Sequence, residues 1–413
     1  MKLTTQGLET SPDIQPAWNA HRERLLRGES SFDELLEDLS DIERLAERYR
    51  GRIRDVIWIG IGGSSLGPRA LIHALRDQMA HASPRFHFLE SPDPSSWHWV
   101  RDQLSPETTL VVTVSKSGTT FETSALTLLA IEWLSKHFST SELPIVWITD
   151  PEKGAFNALL KRLQHEDRKL EIPPSTGGRF SVFTPVGLFA LALSGQNPAR
   201  FLKGAAFALD AWKPRGEEPS NSPWTKLTAQ LFSTEATHSE WVILPYSDRL
   251  SEFAAWSVQL LSESLGKSRK GPTILPGIGP QDQHSVLQLL KEGPLNKVVW
   301  FLTPALESRT PIPSIADPAR ESESALSSLH GVTLEELIHI EAHSTAESLH
   351  TEGVPTIMVE DLDLSAEGLG RLMMHFCLLT SLYAGFADIN PFDQPGVEDS
   401  KVRIRAALNN RKT

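Results

Sequence analysis

The chain has 413 residues, 40% of them hydrophobic and 22% charged, which is enough apolar material for about two or three globular domains. Its formal net charge of −12 argues against a broad cationic surface for nucleic acid. The single cysteine, Cys377, excludes an intrachain disulfide and a zinc site built from cysteines. A local site for a small anion remains compatible with this composition, because it needs only a few basic or N–H groups.

No stretch of the sequence predicts an export or membrane segment. Residues 1–14 are polar and lack the apolar core of a signal peptide, and no apolar run approaches the roughly 18 residues of a membrane helix. A single cysteine is typical of a reducing compartment. We therefore expect a cytoplasmic protein that has neither a membrane nor a nucleic acid as its partner.

The first half of the chain predicts a helical segment followed by an α/β unit. Within residues 1–50, leucines and an isoleucine recur at helical spacing from Leu35 to Leu45. Short β-branched runs then alternate with helical stretches, and strands are predicted at 55–59, 86–89, 109–114 and 145–149. This strand–helix–strand order predicts right-handed crossovers and a parallel sheet.

A second α/β unit follows a largely helical middle. Its strands are predicted at 241–244, 298–302 and 356–359, and its helices at 250–265, 334–350 and 365–386. The fold class is therefore predicted to be α/β, with two mainly parallel sheets flanked by helices. The predicted division is an N-terminal helical segment at 1–50, a first domain at 51–200, a second domain at 201–387 and a C-terminal helical tail at 388–413.

The most informative segment follows the predicted strand at 109–114. It reads Ser115-Lys-Ser-Gly-Thr-Thr120 and leads directly into a helical pattern. Hydroxyls, one ammonium and the N–H groups of a helix start together suit a phosphate. Neither the Gly-Lys-Ser/Thr ending of a P-loop nor a dinucleotide fingerprint is present, which argues against a nucleotide. The alternative is an ordinary strand-to-helix turn capped by Ser and Thr.

A glycine-rich turn, Gly60-Ile-Gly-Gly-Ser-Ser-Leu-Gly67, follows the predicted strand at 55–59. Glycines allow backbone N–H groups to face a ligand at close range. Ser65 stands where a dinucleotide fingerprint needs Gly or Ala, so NAD is disfavoured. We interpret the segment as an anion-binding or substrate-facing turn, the alternative being a tight turn without a ligand.

Three further side chains are candidates for proton and oxyanion chemistry. Arg179 follows two glycines and could approach a developing oxyanion. Glu263 falls in the last turn of a predicted helix, where a carboxylate is electrostatically disfavoured, which suits a general base. His284 is predicted to begin a helix and could shuttle protons near neutral pH. Taken singly, Arg179 and Glu263 are more simply ordinary surface groups.

The sequence predicts neither a metal site nor a cofactor. His339 and His343 have the spacing of a zinc-binding pair, but Ile340 stands where the metalloprotease motif needs Glu. Near the C-terminus, a run of turn-forming and polar residues leads to Lys401. On its own, Lys401 would be a plain surface charge in a basic terminal helix.

Taken together, these segments resemble phosphoglucose isomerase, a family built from two sugar isomerase (SIS) domains of flavodoxin-like topology. The resemblance covers about residues 51–405. It rests on six collinear motifs, which are Gly60–Gly67, Ser115–Thr123, Gly177–Ser181, Glu263–Lys267, Gln283–Ser285 and Phe392–Lys401. One such match would be modest support, whereas six in order are highly specific.

The resemblance implies reversible isomerisation of glucose 6-phosphate and fructose 6-phosphate through an enediol(ate), without a cofactor, in glycolysis and gluconeogenesis. The residues that would bind the phosphosugar are Gly63, Ser64, Ser115, Lys116, Ser117, Thr120 and Gln394. Glu263 would move the proton between C1 and C2, and Arg179 would stabilise the enediolate. His284, together with Lys401, would assist ring opening. Family members supply this histidine across a dimer interface, which implies a homodimer.

Two other functions stay open at this point. A bifunctional phosphoglucose/phosphomannose isomerase would carry the same motifs and would also turn over mannose 6-phosphate. A non-catalytic SIS sensor of phosphosugars would keep the segment Ser115–Thr120 but would not need Arg179, Glu263, His284 and Lys401, all of which are present. The isomerase is therefore the favoured interpretation.

Overall fold

The computed structural model describes residues 1–9, 12–27, 32, 34–79, 83–212, 220–306, 310–313 and 328–411. Its strands are β1 (Lys2–Gln6), β2 (Asp55–Ile59), β3 (Arg85–Leu89), β4 (Thr109–Val114), β5 (Ile145–Thr149), β6 (Lys169–Glu171), β7 (Glu240–Pro245), β8 (Thr273–Pro276), β9 (Lys297–Pro304) and β10 (Thr356–Leu362). Its α-helices are α1 (Gln15–Leu26), α2 (Ser40–Tyr49), α3 (Leu66–Ala74), α4 (Pro94–Arg101), α5 (Phe121–Leu134), α6 (Ala155–Leu163), α7 (Pro185–Leu193), α8 (Pro198–Trp212), α9 (Pro223–Thr234), α10 (Ser251–Leu265), α11 (Gly279–Gln283), α12 (Leu287–Glu292), α13 (Leu334–Thr351), α14 (Ala366–Ala387) and α15 (Glu398–Asn410).

The first sheet has the strand order β3-β2-β4-β5-β6, and all its strands are parallel. Every residue of β2, β4 and β5 is buried, as expected for parallel strands covered by helices on both faces. The order is that of flavodoxin-like folds. In such sheets the winding reverses between the first and third strands, here β2 and β4, and ligands bind at the carboxyl ends of that pair.

The second sheet has the order β8-β7-β9-β10-β1. Four strands repeat the parallel order of the first sheet, and β1 pairs antiparallel with β10, with Lys2 opposite Glu360. Strand β1 was not predicted from the sequence, because its five mostly polar residues show no apolar run. It covers the edge of β10, which would otherwise present unpaired backbone groups. The predicted N-terminal helices are present as α1 and α2.

One hydrophobic core joins the two α/β units. It includes Trp58 of β2, Trp300 of β9 and Phe376 of α14, all buried. Helix α14 crosses α8 closely, because a Cβ at Gly204 would lie 1.8 Å from the carbonyl oxygen of Glu367. The two units therefore share their packing.

The predicted α/β class with two flavodoxin-like sheets is confirmed. The predicted segment boundaries stay a prediction: α8 begins just before residue 200, and α14 ends at Ala387. Cys377 is buried in the core, and burial raises the pKa of its thiol. In the described parts of the chain, no helix combines the length and the apolar character needed to cross a membrane.

Candidate active site

The glycine-rich turn lies at the carboxyl end of β2, beside the loop that follows β4. Gly62 has φ +58°, a left-handed conformation that glycine adopts without strain. The indole N–H of Trp58, in β2, donates to the carbonyl of Ser64 at 2.9 Å and holds the turn against the strand that precedes it. A Cβ at Gly63 would lie 1.9 Å from the carbonyl oxygen of Gly178. The glycine-rich turn therefore packs directly on the turn that carries Arg179.

The loop after β4 presents hydroxyl groups at the start of α5. The buried Ser115 Oγ accepts from the Gly118 N–H at 3.1 Å and lies 3.3 Å from Thr120 Oγ1. Ser117 is exposed, and its Oγ accepts from the Thr119 N–H at 3.2 Å. Thr120 occupies the N-cap of α5, but its side chain forms no capping hydrogen bond there. The first N–H groups of α5 thus lack the side-chain partner that a capping threonine would supply.

The Lys116 ammonium points to a different element. It donates to the carbonyl of Pro174 and, at 3.0 Å, to the carbonyl of Thr176. Burial lowers the pKa of Lys116, and the nearby Asp150 carboxylate opposes that shift. The ammonium therefore connects the loop after β4 with the turn that precedes Arg179.

Arg179 is the centre of the site. It is buried, and burial lowers the pKa of its guanidinium while the Glu263 carboxylate opposes the shift. All five of its N–H donors are directed at acceptors. These are Ser264 Oγ at 2.7 Å, Glu263 Oε2 at 3.1 Å, Gln394 Oε1 at 3.3 Å, the Asp393 carbonyl at 2.9 Å and the Pro391 carbonyl. One side chain thereby joins the first unit to α10 and to the C-terminal tail.

Glu263 lies in the last turn of α10, as predicted, and its side chain is 31% exposed. One carboxylate oxygen accepts from Arg179, and the other accepts from Gln259 Nε2 at 3.0 Å. Gln259 in turn lies against the glycine-rich turn, because a Cβ at Gly62 would be 2.7 Å from its Nε2. The carboxylate is therefore held at a defined position and remains accessible on one side.

A cavity of about 650 Å³ opens beside this carboxylate, within the usual size range of small-molecule sites. It is lined by the end of α10, including Glu263 and Lys267, and by the tail from Asn390 to Val397. The Lys267 ammonium lies 2.8 Å from an Asp393 carboxylate oxygen and also contacts the Asn390 carbonyl. Burial lowers the pKa of Lys267, and its pairing with Asp393 opposes that shift.

His284 lies elsewhere in the subunit. Helix α10 follows β7, so it begins at the carboxyl edge of the second sheet and runs back about 18 Å to Glu263. His284 follows β8 and therefore lies at the carboxyl edge, where Gly279 packs on the Tyr246 ring. Within one subunit, Glu263 and His284 are thus at opposite edges of the second sheet. The helix predicted after His284 is present as α12, but it begins only at Leu287. His284 itself is exposed and caps the C-terminal end of α11, because Pro280 starts a helical turn earlier.

Lys401 is also outside the cluster around Arg179. It lies on α15, none of whose residues is buried, and its ammonium pairs with Glu398 at 2.7 Å. Of the predicted catalytic residues, the structure brings Arg179 and Glu263 together, with Gln394 beside them. It does not bring His284 or Lys401 to this cluster within one subunit.

No role was predicted for three side chains at the site, which are Gln259 and two members of the Glu263–Lys267 motif, Ser264 and Lys267. Gln259 and Lys267 lie four residues before and after Glu263, a spacing that places Gln259 on the same helix face. That spacing was the available signal. Among the described residues, no group of three or more His, Cys, Asp or Glu side chains is placed to hold a metal ion.

Comparison with known proteins agrees with the geometry. A family model described as phosphoglucose isomerase matches residues 44–412. A curated relative, a glucose-6-phosphate isomerase of Thermus thermophilus, is 36% identical over 427 aligned residues that cover 99% of each chain. The chain belongs to the phosphoglucose isomerase family. The resemblance drawn from the six motifs and the prediction of an isomerase are confirmed.

Solved structures extend the comparison to the fold. A hypothetical protein of Thermus thermophilus has a TM-score of 0.86 and 34% identity, covering 98% of this chain and 100% of that one. A glucose-6-phosphate isomerase of Chlamydia trachomatis has a TM-score of 0.76 at 23% identity, covering 97% of this chain and 78% of that one. At that identity the second comparison supports the fold alone. Both structural alignments cover nearly the whole of this chain and therefore include both sheets.

Proposed function

We propose that this protein interconverts glucose 6-phosphate and fructose 6-phosphate through an enediol(ate), in glycolysis and gluconeogenesis. The observation that carries the proposal is the Glu263 carboxylate, held 3.1 Å from the Arg179 guanidinium and in contact, through Gln259, with the glycine-rich turn. Family membership and the names of the curated relatives support the same substrates.

The sugar phosphate binds at the carboxyl ends of β2 and β4 in this proposal. Ser115, Lys116, Ser117 and Thr120 form the phosphate loop at the start of α5, with Gly63 and Ser64 beside it. The hydroxyls and the N–H groups of a helix start stabilise a dianion. Binding energy from the phosphate then holds the sugar carbons in place for the proton transfer.

Glu263 carries the proton in this mechanism. In the aldose-to-ketose direction, its carboxylate removes the hydrogen on C2 and returns it to C1, so the carboxylate is regenerated. General-base catalysis of this kind contributes roughly 10²–10⁴ in rate. Negative charge develops on the sugar oxygen during the transfer. Arg179 stabilises it by redirecting an N–H that now reaches Gln394 at 3.3 Å, the longest of its five hydrogen bonds.

A second copy of the chain supplies His284 in this proposal. The support is geometric, because His284 and Glu263 of one subunit lie at opposite edges of the second sheet. In the proposed homodimer, the exposed His284 of one subunit lies at the cavity of the other subunit. There His284 assists opening of the sugar ring together with Lys401. The cytoplasm, where phosphorylated hexoses are metabolised, is the proposed location.

The test is direct turnover of fructose 6-phosphate, with glucose 6-phosphate detected by an NADP-linked dehydrogenase in the presence of EDTA. We expect turnover that EDTA does not reduce. Binding of fructose 6-phosphate without turnover would instead indicate a phosphosugar sensor. Turnover of mannose 6-phosphate at a comparable rate would identify a bifunctional isomerase.

A further inference from the structure

We propose that the Lys116 ammonium is a positioning group that ties the phosphate loop to the turn carrying Arg179, and is not itself a ligand of the phosphate. The inference rests on the proposed function, because it concerns how that site is held together. It separates the roles of neighbouring residues in one loop: the hydroxyls bind the anion and the ammonium fixes the arginine.

The contacts of Lys116 carry the proposal. Its two acceptors, the carbonyls of Pro174 and Thr176, belong to one short turn between β6 and Arg179. Gly177 and Gly178 follow immediately, so this part of the chain has little conformational rigidity of its own. Lys116, just after the end of β4, holds the chain at Pro174 and Thr176, immediately before the two glycines.

The arrangement also argues against direct phosphate binding by the ammonium. To reach an anion above the hydroxyls, Lys116 would have to break both of its hydrogen bonds to carbonyls, which is unfavourable for a charged donor. The phosphate would still have the Ser115, Ser117 and Thr120 hydroxyls and the N–H groups at the start of α5. If the ammonium stays on the two carbonyls, the affinity for the phosphate is therefore little reduced and the turn that carries Arg179 stays ordered.

We call the two hydrogen bonds from the Lys116 ammonium the tether, and its function follows from the position of Arg179. The Thr176 carbonyl that Lys116 contacts lies three residues before Arg179. The five N–H donors of Arg179 must in turn meet acceptors on α10 and in the C-terminal tail. A displacement of about 1 Å in a positioning element costs roughly 10²-fold in rate. Loss of the tether should therefore reduce kcat rather than the affinity for the phosphate.

The experiment compares Lys116→Met, which keeps the length of the side chain but removes the ammonium, with Lys116→Arg, which keeps N–H donors. For each variant, kcat and KM for fructose 6-phosphate are measured, together with the Kd of sorbitol 6-phosphate, an open-chain analogue that cannot isomerise. We expect Lys116→Met to lower kcat about thirtyfold while both KM and Kd change less than about threefold. Lys116→Arg should recover most of the lost kcat.

Lys153→Met is the matched control, because Lys153 is exposed and lies beside the same Asp150 but contacts neither carbonyl. It should behave as wild type. A Kd that weakens in parallel with kcat/KM, with kcat preserved, would show that the ammonium binds phosphate and would overturn the inference, as would Lys116→Met with unchanged kcat. If Lys116→Met does not fold, Lys116→Gln provides the same comparison of kcat with Kd. Wild-type turnover is measured first, because its absence would overturn the proposed function and this inference with it, whereas the outcomes named above concern Lys116 alone.

Discussion

The two α/β units share a strand order, but they contribute to the site in different ways. In the first unit, the carboxyl ends of β2 and β4 carry the glycine-rich turn and the phosphate loop, where ligands of parallel sheets usually bind. In the second unit, the corresponding edge carries the exposed His284. The acidic group comes instead from the far end of α10, which returns to the opposite edge.

This difference explains how one fold used twice produces a single site. The first unit offers N–H groups and hydroxyls, which suit a fixed anion. The second unit offers a helix end, and Glu263 there reaches the first unit through Arg179 and Gln259. The second sheet's own carboxyl edge is then available to serve another subunit. A topological rule for ligand binding therefore predicts the first half of the site but not the second.

The strongest test of this division is Glu263→Gln. The amide keeps the size of the side chain and can still accept from Arg179, but it cannot remove a proton from carbon. We expect kcat to fall about 10³-fold, within the usual contribution of a general base, while the Kd of sorbitol 6-phosphate changes little. Glu47→Gln is the control, because Glu47 is an exposed carboxylate that also pairs with an arginine, Arg50 at 2.8 Å. A fully active Glu263→Gln would show that the base is another group.

The second test asks whether the edge of the second sheet serves the other subunit. Glu263→Gln and His284→Ala are each expected to be nearly inactive, but subunits mixed by joint refolding should form hybrid dimers. One of the two sites in each hybrid then combines an intact Glu263 with an intact His284. Activity should recover to about a quarter of wild type for random assortment into symmetric dimers. If hybrid dimers form but activity does not recover, then either one subunit supplies both Glu263 and His284 to a site, or His284 is not part of the site.

A third test concerns the link between the glycine-rich turn and α10. Arg69 of α3 lies 2.6 Å from Glu252 in the first turn of α10, and its other end contacts Glu90, which also accepts from the Ser65 hydroxyl. Removing this link in Arg69→Met should let the two units shift slightly and lower kcat about tenfold. Arg76→Met, which removes a more exposed arginine from the turn after α3, should have little effect. Equal kcat values for the two variants would contradict the link.

The smallest effect concerns the core that both units share. Burial lowers the pKa of His375 and of His21 to about 3, so each is neutral in the folded protein and takes up a proton on unfolding below about pH 6.5. The unfolded state therefore binds more protons between pH 6.5 and 3, and the free energy of unfolding falls as the pH falls through this range. Each histidine contributes a slope of about 1.4 kcal/mol per pH unit.

In the wild type, the Trp212 indole N–H donates to His375 Nδ1 at 3.1 Å. His375→Gln removes the titrating group but keeps an acceptor for this N–H. Urea unfolding between pH 6 and 4 should show a slope shallower than that of wild type by about 1.4 kcal/mol per pH unit. Identical slopes would mean that His375 is not buried in its neutral form. A single transition in both proteins would agree with a core that belongs to both units.

Most of the fold could be predicted from the sequence. The strands of both sheets that show long β-branched or apolar runs, such as Thr109–Val114 and Ile145–Thr149, lie where the pattern placed them. The strands that were missed, β1, β6 and β8, have three to five residues each. Such segments form strands because a neighbouring edge pairs with them, and an isolated segment carries no sign of that edge.

The residues of the site were also visible as motifs, because their chemistry depends on local features. Glycines that permit a turn, hydroxyls at a helix start and a carboxylate at a helix end can all be recognised from a few neighbouring positions. The arrangement of Arg179 could not be recognised in this way. Its acceptors include Ser264 and Gln394, which are 85 and 215 residues away along the chain.

The sequence by itself determined the two α/β units, and it supplied the proposals that the loop after β4 binds phosphate and that Glu263 is the base. Only the tertiary structure decided which of these groups meet. It placed Glu263 beside Arg179, directed the Lys116 ammonium to the arginine turn and left His284 at the opposite edge of the second sheet. The reason is physical: hydrogen-bonding capacity and periodicity are properties of short segments, whereas distances between segments depend on how α10 and the C-terminal tail pack against the first unit.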